Sequence, residues 1–351
     1  MSDISDVQQL GDLLKQDGAD HSLLDTSSRV AQFTLAVMVK LVKERPWQVA
    51  EQLLDLLRQE GRALMQVDPT ETAVGNVVRR VLKLVRDDYA SMCCGRQVEG
   101  DNSESLQKLV SAKGDSVDDY SRPQPELRER LLESLDELER ELALSRENIA
   151  AQALEHIHSG QVIMTTGRSR TVEAFLRRAA AQRTFQVMVA ESAPSFSGLE
   201  LARVLSRAGI RVTVVPDSAV LAIMPRVSKV IIGTHSVMAD GGLKAPCGAH
   251  ALALAARQCA VPLIVVAPAF KLTPQYLCSE DQEAFQRFGS PERVARFETA
   301  SSAVQLVAPA FDYVPPDLVP LLVLNSGGNA PSYVYRLLSE MYHPDDFKLG
   351  A

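Results

Sequence analysis

Val162-Ile163-Met164, Val187-Met188-Val189, Val212-Thr213-Val214-Val215, Val230-Ile231-Ile232 and Leu263-Ile264-Val265-Val266 are five short apolar runs spread through the stretch from Gln161 to Ala267. Each is apolar at consecutive positions instead of alternating, the pattern of parallel strands covered by helices on both faces. Helices are expected between them at Thr171 to Ala181, Leu199 to Ala208, Ala219 to Arg226 and Cys247 to Gln258, with right-handed connections. The expectation is an α/β fold with a Rossmann-like parallel sheet. Such sheets bind ligands beyond the carboxyl ends of their strands. There the chain carries Thr166-Gly167-Arg168-Ser169, Glu191-Ser192-Ala193-Pro194 through Gly198, Pro216-Asp217, and Gly233-Thr234-His235.

Upstream of Gln161 the apolar period becomes helical. Val30, Phe33, Leu35, Val37, Met38, Leu41 and Val42 describe one amphipathic helix that Pro46 ends. A second is expected from Trp47 to Met65 and a third from Thr72 to Tyr89, separated by Asp68-Pro69-Thr70. Cys94 to Gln124 has little periodicity and reads as a mobile loop. Glu126 to His158 then reads as one long helix, with Leu127, Leu131, Leu135, Leu138, Leu142 and Ile149 on its apolar face. Its Glu and Arg residues form i,i+4 pairs; the charged side is either a solvated face or a partner contact, and the second is favoured because a strut between domains exposes that side to whatever docks beside it. Downstream, Leu272 to Phe297 is a polar excursion, Val304 to Pro320 rejoins the core, and Pro331 to Tyr342 is a closing helix. The division expected is a polar segment over 1–27, a helical domain over 28–158 with its loop at 94–124, and the Rossmann-like α/β domain over 159–351.

With 351 residues, 46% hydrophobic and 23% charged, the chain has globular composition and room for two domains. A net charge of −7 argues against nucleic-acid or anionic-membrane partners, which are recognised through basic surfaces, and favours protein partners. Met1 to Ser27 has no apolar core of signal-peptide length, and no run of about 18 apolar residues occurs. The five cysteines are scattered, the pattern of reduced thiols in the cytosol. Adjacent Cys93 and Cys94 lack the spacing of a zinc site, so no metal is expected. No Gly-x-Gly-x-x-Gly or Walker loop is present, so no nucleotide cofactor is expected either.

Several stretches carry a resemblance: Glu147-Asn148-Ile149-Ala150-Ala151-Gln152-Ala153-Leu154-Glu155-His156-Ile157-His158, Lys229-Val230-Ile231-Ile232-Gly233-Thr234, and Phe311-Asp312-Tyr313-Val314-Pro315-Pro316. Asn325 through Asn329-Ala330-Pro331-Ser332-Tyr333, running on to Met341-Tyr342-His343-Pro344-Asp345-Asp346, continues it. In these the chain resembles the family that joins ribose-1,5-bisphosphate and methylthioribose-1-phosphate isomerases to the regulatory subunits of eukaryotic translation initiation factor 2B. The resemblance covers nearly the whole chain and is weakest before Ser28 and from Cys94 to Gln124.

In the isomerases a cysteine after the first strand and an aspartate after the fourth move protons or hydride between adjacent sugar carbons. By resemblance these positions fall on Gly167 and His235, and a phosphate-binding arginine falls on Ala193. Glycine is neither acid, base nor nucleophile, so isomerase chemistry is not expected. Two readings stay open at His235, a general base or a hydrogen-bonded loop residue. Arg168 with Ser169 either holds a phosphate at a helix start, or Ser169 caps that helix. Asp240-Gly241-Gly242 is a turn that also fits a pocket floor.

The resemblance further implies a non-catalytic regulatory subunit of the guanine-nucleotide exchange factor for initiation factor 2. It would pair with the delta subunit, assemble with the alpha, gamma and epsilon subunits in a decamer, and help receive the alpha subunit of initiation factor 2. Exchange chemistry would lie in epsilon. Gly160, Val162, Gln186, Met188 and Thr213 correspond to a ligand pocket at a subunit junction, although Gly160 and Gln186 depart from its usual residue types. Tyr313, Pro315, Pro316, Asn329, Tyr333 and Tyr335 are interface candidates, with packing of the last helix as the equal alternative. A sugar-phosphate isomerase or a phosphosugar sensor is the competing function.

Overall fold

A computed structural model describes residues 8–12, 23–94, 119–277, 285–295 and 304–349. Most of the expected polar start and of the expected mobile loop, residues 95–118, lies outside the described residues. Residues 8–12 are helical, and three long helices follow: α1 (Leu23–Glu44), α2 (Ala50–Val67) and α3 (Thr72–Cys94). Their apolar stripes, among them Leu35, Met38, Leu53, Leu57, Val78 and Leu82, close a shared core with Leu131, Leu135, Leu138 and Leu142 of α4 (Leu127–Ala151). The long helix expected through His158 breaks at Gln152. The Gln152 side-chain amide donates to Leu324 O at 2.8 Å, and a separate turn, α5 (Ala153–His156), follows.

The main sheet has seven strands, two more than the apolar runs suggested. They are β1 (Val162–Thr166), β2 (Gln186–Ala190), β3 (Arg211–Val215), β4 (Lys229–Gly233), β7 (Leu263–Val266), β9 (Leu321–Leu324) and β10 (Gly327–Asn329). Their order is β10-β9-β7-β4-β1-β2-β3, parallel except for the antiparallel edge strand β10. β5 (Ser236–Val237), β6 (Leu243–Pro246) and β8 (Phe311–Val314) form a small antiparallel sheet, which the sequence reading did not foresee. Short runs of two to four residues carry too little period to be told from loops.

Two apolar cores sandwich the sheet. Ile163, Val187, Val189 and Ile231 pack beneath α6 (Arg170–Ala180), α7 (Ser197–Arg207) and the end of α4. On the other face Met164, Val230, Val265 and Leu322 meet α9 (Ala249–Gln258) and α10 (Val334–Met341). The expectation of cover on both faces fails at β3, where Val214 is 40% exposed and only Val215 is fully buried. β3 is an edge strand, so the sheet offers it a neighbour on one side alone. The helix expected at Ala219 to Arg226 is split into a 3-10 turn, the short α8 (Val220–Ile223) and a second 3-10 turn holding Pro225.

After α10 the chain returns to the helical layer as a strap. Asp346, fully buried, accepts from Arg58 Nε and Nη2 at 3.2 and 2.9 Å and from Arg86 Nε and Nη2 at 3.2 and 3.3 Å. Arg79 donates to the carbonyls of Asp346 and Phe347, and Arg62 to that of Leu349. Leu349 itself enters the helical core. Burial lowers the Arg79 guanidinium to about 10, so it still carries its proton at neutral pH.

Candidate functional site

The carboxyl ends of β1, β2 and β4 bring the expected loops together, and groups of the chain itself fill them. Gly167 follows β1 with φ of +63°. A Cβ added there would stand 3.6 Å from Ser197 Oγ and 3.7 Å from Ser192 Oγ, so the position faces a set of hydroxyls. Thr166 Oγ1 and Ser192 Oγ are 3.0 Å apart within that set. Arg168 spends its guanidinium on Glu200, with Nη1 2.7 Å from Oε2. Ser169 Oγ accepts from Val172 N at 3.4 Å and caps α6, which begins at Arg170, one residue before the sequence expectation.

At the end of β2 the backbone amides of Ser192 and Ala193 donate to Asp217 Oδ1 and Oδ2 at 3.0 and 2.7 Å. A carboxylate of the chain thus sits where two backbone donors converge, beside the position matched to a phosphate-binding arginine. His235, 3% exposed, packs against Phe311 with ring centroids 4.7 Å apart and the planes tilted by 36°. Its Nε2 lies 3.3 Å from Thr70 O and 3.7 Å from Glu71 Oε1. The turn before α3 therefore reaches over the end of β4.

Around it a buried ionic cluster assembles. Lys244 Nζ donates to Thr70 O at 2.8 Å and sits 4.5 Å over the Phe311 ring. Lys271 Nζ donates to Thr234 O at 2.9 Å. Glu71 accepts from Ser27 Oγ at 3.3 Å and from Ala73 N at 3.0 Å. Desolvation raises the Glu71 carboxyl above its ordinary value, against the pull of the Ala73 amide and the nearby Lys271 and Lys244. Desolvation pushes the Lys244 ammonium down to about 8, although Glu71 and Asp68 hold it up.

Asp240 stands in the turn between β5 and β6. Gly242 N donates to its Oδ1 at 2.8 Å and the Tyr313 hydroxyl donates to Oδ2. Gly241, with φ of +84°, has no room for a Cβ, which would fall 2.7 Å from Pro331 O. The turn is held by these contacts.

Toward the amino-terminal ends of the strands Val162 pairs with Gln186, and Met188 with Thr213. Register puts all four side chains on one face, and Gln186 Nε2 donates to Thr213 Oγ1 at 3.0 Å. Gly160 precedes them with φ of +82° and open space around it. Of the interface candidates, Tyr333 and Tyr335 are 37% and 60% exposed. Tyr313 packs inward over Gly242, Pro315 and Pro316 are half-buried, and Asn329 bonds within β10 to Gly327 O at 3.1 Å.

Glu200, Glu71, Lys244 and Lys271 were not singled out from the sequence, and Asp217 was named only as part of a loop. Only Asp217 had a local signal, its place directly after a strand. Among the described residues no group of three His, Cys, Asp or Glu could hold a metal ion, and no helix is long and apolar enough to cross a membrane.

Comparison with known proteins adds the lineage. The model of the initiation factor 2 subunit family matches residues 24–331. The chain belongs to that family. It is similar to the translation initiation factor eIF2B subunit beta of Dictyostelium discoideum, 39% identical over 91% of this chain and 92% of that protein. Among solved structures it is similar to eIF2B beta of Chaetomium thermophilum, with TM-score 0.73, 26% identity, and 97% of this chain and 92% of that chain covered. It is also similar to a chain of the tetrameric eIF2B-beta2-delta2 complex of the same organism, with TM-score 0.69, 27% identity, and 96% and 94% covered. Family members thus share both the helical layer and the mixed, mostly parallel sheet found here.

Proposed function

We propose that the chain is a non-catalytic regulatory subunit of the exchange factor for translation initiation factor 2, corresponding to the beta subunit of that factor. The observation that carries the non-catalytic half is the self-filled strand ends. Position 167 has no side chain, Arg168 is held by Glu200, the amides of Ser192 and Ala193 are held by Asp217, and His235 is buried under Thr70. An aldose–ketose conversion needs a positioned acid and base with access to substrate, and this arrangement supplies neither. The fold of the phosphosugar enzymes is then a scaffold, and its surfaces do the work.

Pairing with a delta subunit is supported by the face of α8 and α9, where Leu221 and Leu254 are 56% and 43% exposed. Tyr333 and Tyr335 add exposed aromatic area of the kind that interface cores use. On this reading residues 159–351 form the pairing domain and 28–158 the helical domain that helps receive the alpha subunit of initiation factor 2 and sense its phosphorylation. The alpha, gamma and epsilon subunits complete a cytosolic decamer, and epsilon performs the exchange. The face shared by Val162, Gln186, Met188 and Thr213 is where a small ligand would sit at a subunit junction.

Affinity purification from a cytosolic extract followed by intact mass measurement should find four other exchange-factor subunits, and a homodimer alone would refute the reading. Purified chain mixed with ribose-1,5-bisphosphate or methylthioribose-1-phosphate should show no turnover above background. Conversion that His235→Ala abolishes would establish the enzyme instead.

A further inference from the structure

The outer surface of α6 and α7 carries a charge that the rest of the chain does not. Between Arg168 and Arg207 stand seven arginines and no lysine against three glutamates, in a chain whose net charge is −7. Two of these arginines are neutralised, Arg168 by Glu200 at 2.7 Å and Arg177 by Glu173 at 3.2 Å. Arg178, Arg203 and Arg207 are exposed, and among the described residues none of the three has an acidic partner. Both helices bury their apolar stripes in the same core on the same face of the sheet, so their outward sides form one surface. Arg178 lies in the last turn of α6 and Arg207 in the last turn of α7.

A cation in the last turn complements the helix dipole, which is sufficient reason for Arg178 or Arg207 singly. It does not account for Arg203. That residue stands one turn before Arg207, and like charges at i,i+4 cost a helix a few tenths of a kcal/mol. Glutamate at that spacing is how Arg177 is balanced on α6, whereas α7 repeats the positive charge.

We propose that this surface is a docking site for a short acidic segment of a partner polypeptide, held by Arg178, Arg203 and Arg207. Arginine presents a planar fork that meets a carboxylate with two parallel hydrogen bonds, and its weak hydration makes it suited to interface ion pairs. A nucleic acid is the poorer occupant. Its phosphates continue in both directions, and outside this surface the chain is more acidic than its net charge states. A run of carboxylates can end where the arginines end. The site lies across the sheet from Leu221 and Leu254, so it is independent of the pairing face and goes beyond the function proposed above.

The test is fluorescence anisotropy of a labelled oligoglutamate peptide with the full-length chain. Binding should be measurable at low salt and fall steeply as ionic strength approaches the physiological range. Combined Arg178→Gln, Arg203→Gln and Arg207→Gln should weaken it by about ten-fold or more while leaving the melting temperature unchanged. A control chain with Arg140→Gln, Arg226→Gln and Arg257→Gln loses the same charge elsewhere and should bind nearly as well as wild type. Equal losses in the two triple variants, or no binding by wild type, would overturn the proposal. So would a labelled oligouridylate that binds the same arginines more tightly than the peptide.

Discussion

Replacing Asp346 should release the C-terminal strap from the helical layer. Its carboxylate has no exposure and serves two guanidinium groups of unequal burial, Arg58 at 28% and Arg86 at 7% side-chain exposure. In Asp346→Asn the size is kept, one acceptor is retained, and an amide N–H is turned toward a guanidinium. Arg58 can then turn to water at little cost. Arg86 cannot. It keeps the Tyr120 hydroxyl at 3.1 Å and the distant Asp345 carboxylate at 3.9 Å, so its charge is left largely uncompensated. Removing one partner of a buried ion pair costs about 3–5 kcal/mol, and the retained acceptor places Asp346→Asn near the lower end. Arg58→Ala should cost no more than about 1 kcal/mol. Urea denaturation followed by circular dichroism reads both as shifts in midpoint at constant slope. The reasoning fails if Asp346→Asn unfolds at the wild-type midpoint, or if Arg58→Ala costs as much as Asp346→Asn.

Gly198→Ala should be far more damaging than its one methyl suggests. The added Cβ would lie 2.0 Å from Ala190 O, a backbone atom inside β2 that cannot step aside, so a loss of about 3 kcal/mol or more is expected in the same assay. Lys244 gives a pH signature. Its ammonium titrates near 8 in the folded chain against an ordinary 10.5, so the unfolded chain binds more protons between those values and stability rises with pH across that window. The rise attributable to this group is about 3 kcal/mol, and comparing the pH dependence of melting for wild type and Lys244→Met isolates it. Parallel curves for the two proteins would show that the Lys244 charge is not desolvated.

The parallel sheet was legible because its strands β1, β2, β4 and β7 are buried on both faces, and burial on both faces writes itself as a continuous apolar run. The same logic misjudged β3. Its run is apolar apart from Thr213, but an edge position leaves Val214 in solvent, and position in the sheet is a property of topology. β5, β6 and β8 went unseen because two to four residues hold no usable period. At the strand ends the sequence put a glycine at 167, which has no proton to move in any fold.

What fills those ends was settled by tertiary structure alone. Glu71 reaches His235, Lys244 and Lys271 across more than a hundred and sixty positions of chain, and Asp217 reaches the amides of Ser192 and Ala193 from the end of the neighbouring strand; away from those ends, Asp346 gathers Arg58 and Arg86 from two other helices. Local pattern records which side of a helix or strand meets apolar surroundings, because that demand repeats every few residues. A charge pair is one contact between two distant positions, it repeats nowhere, and only the folded chain decides which partners meet.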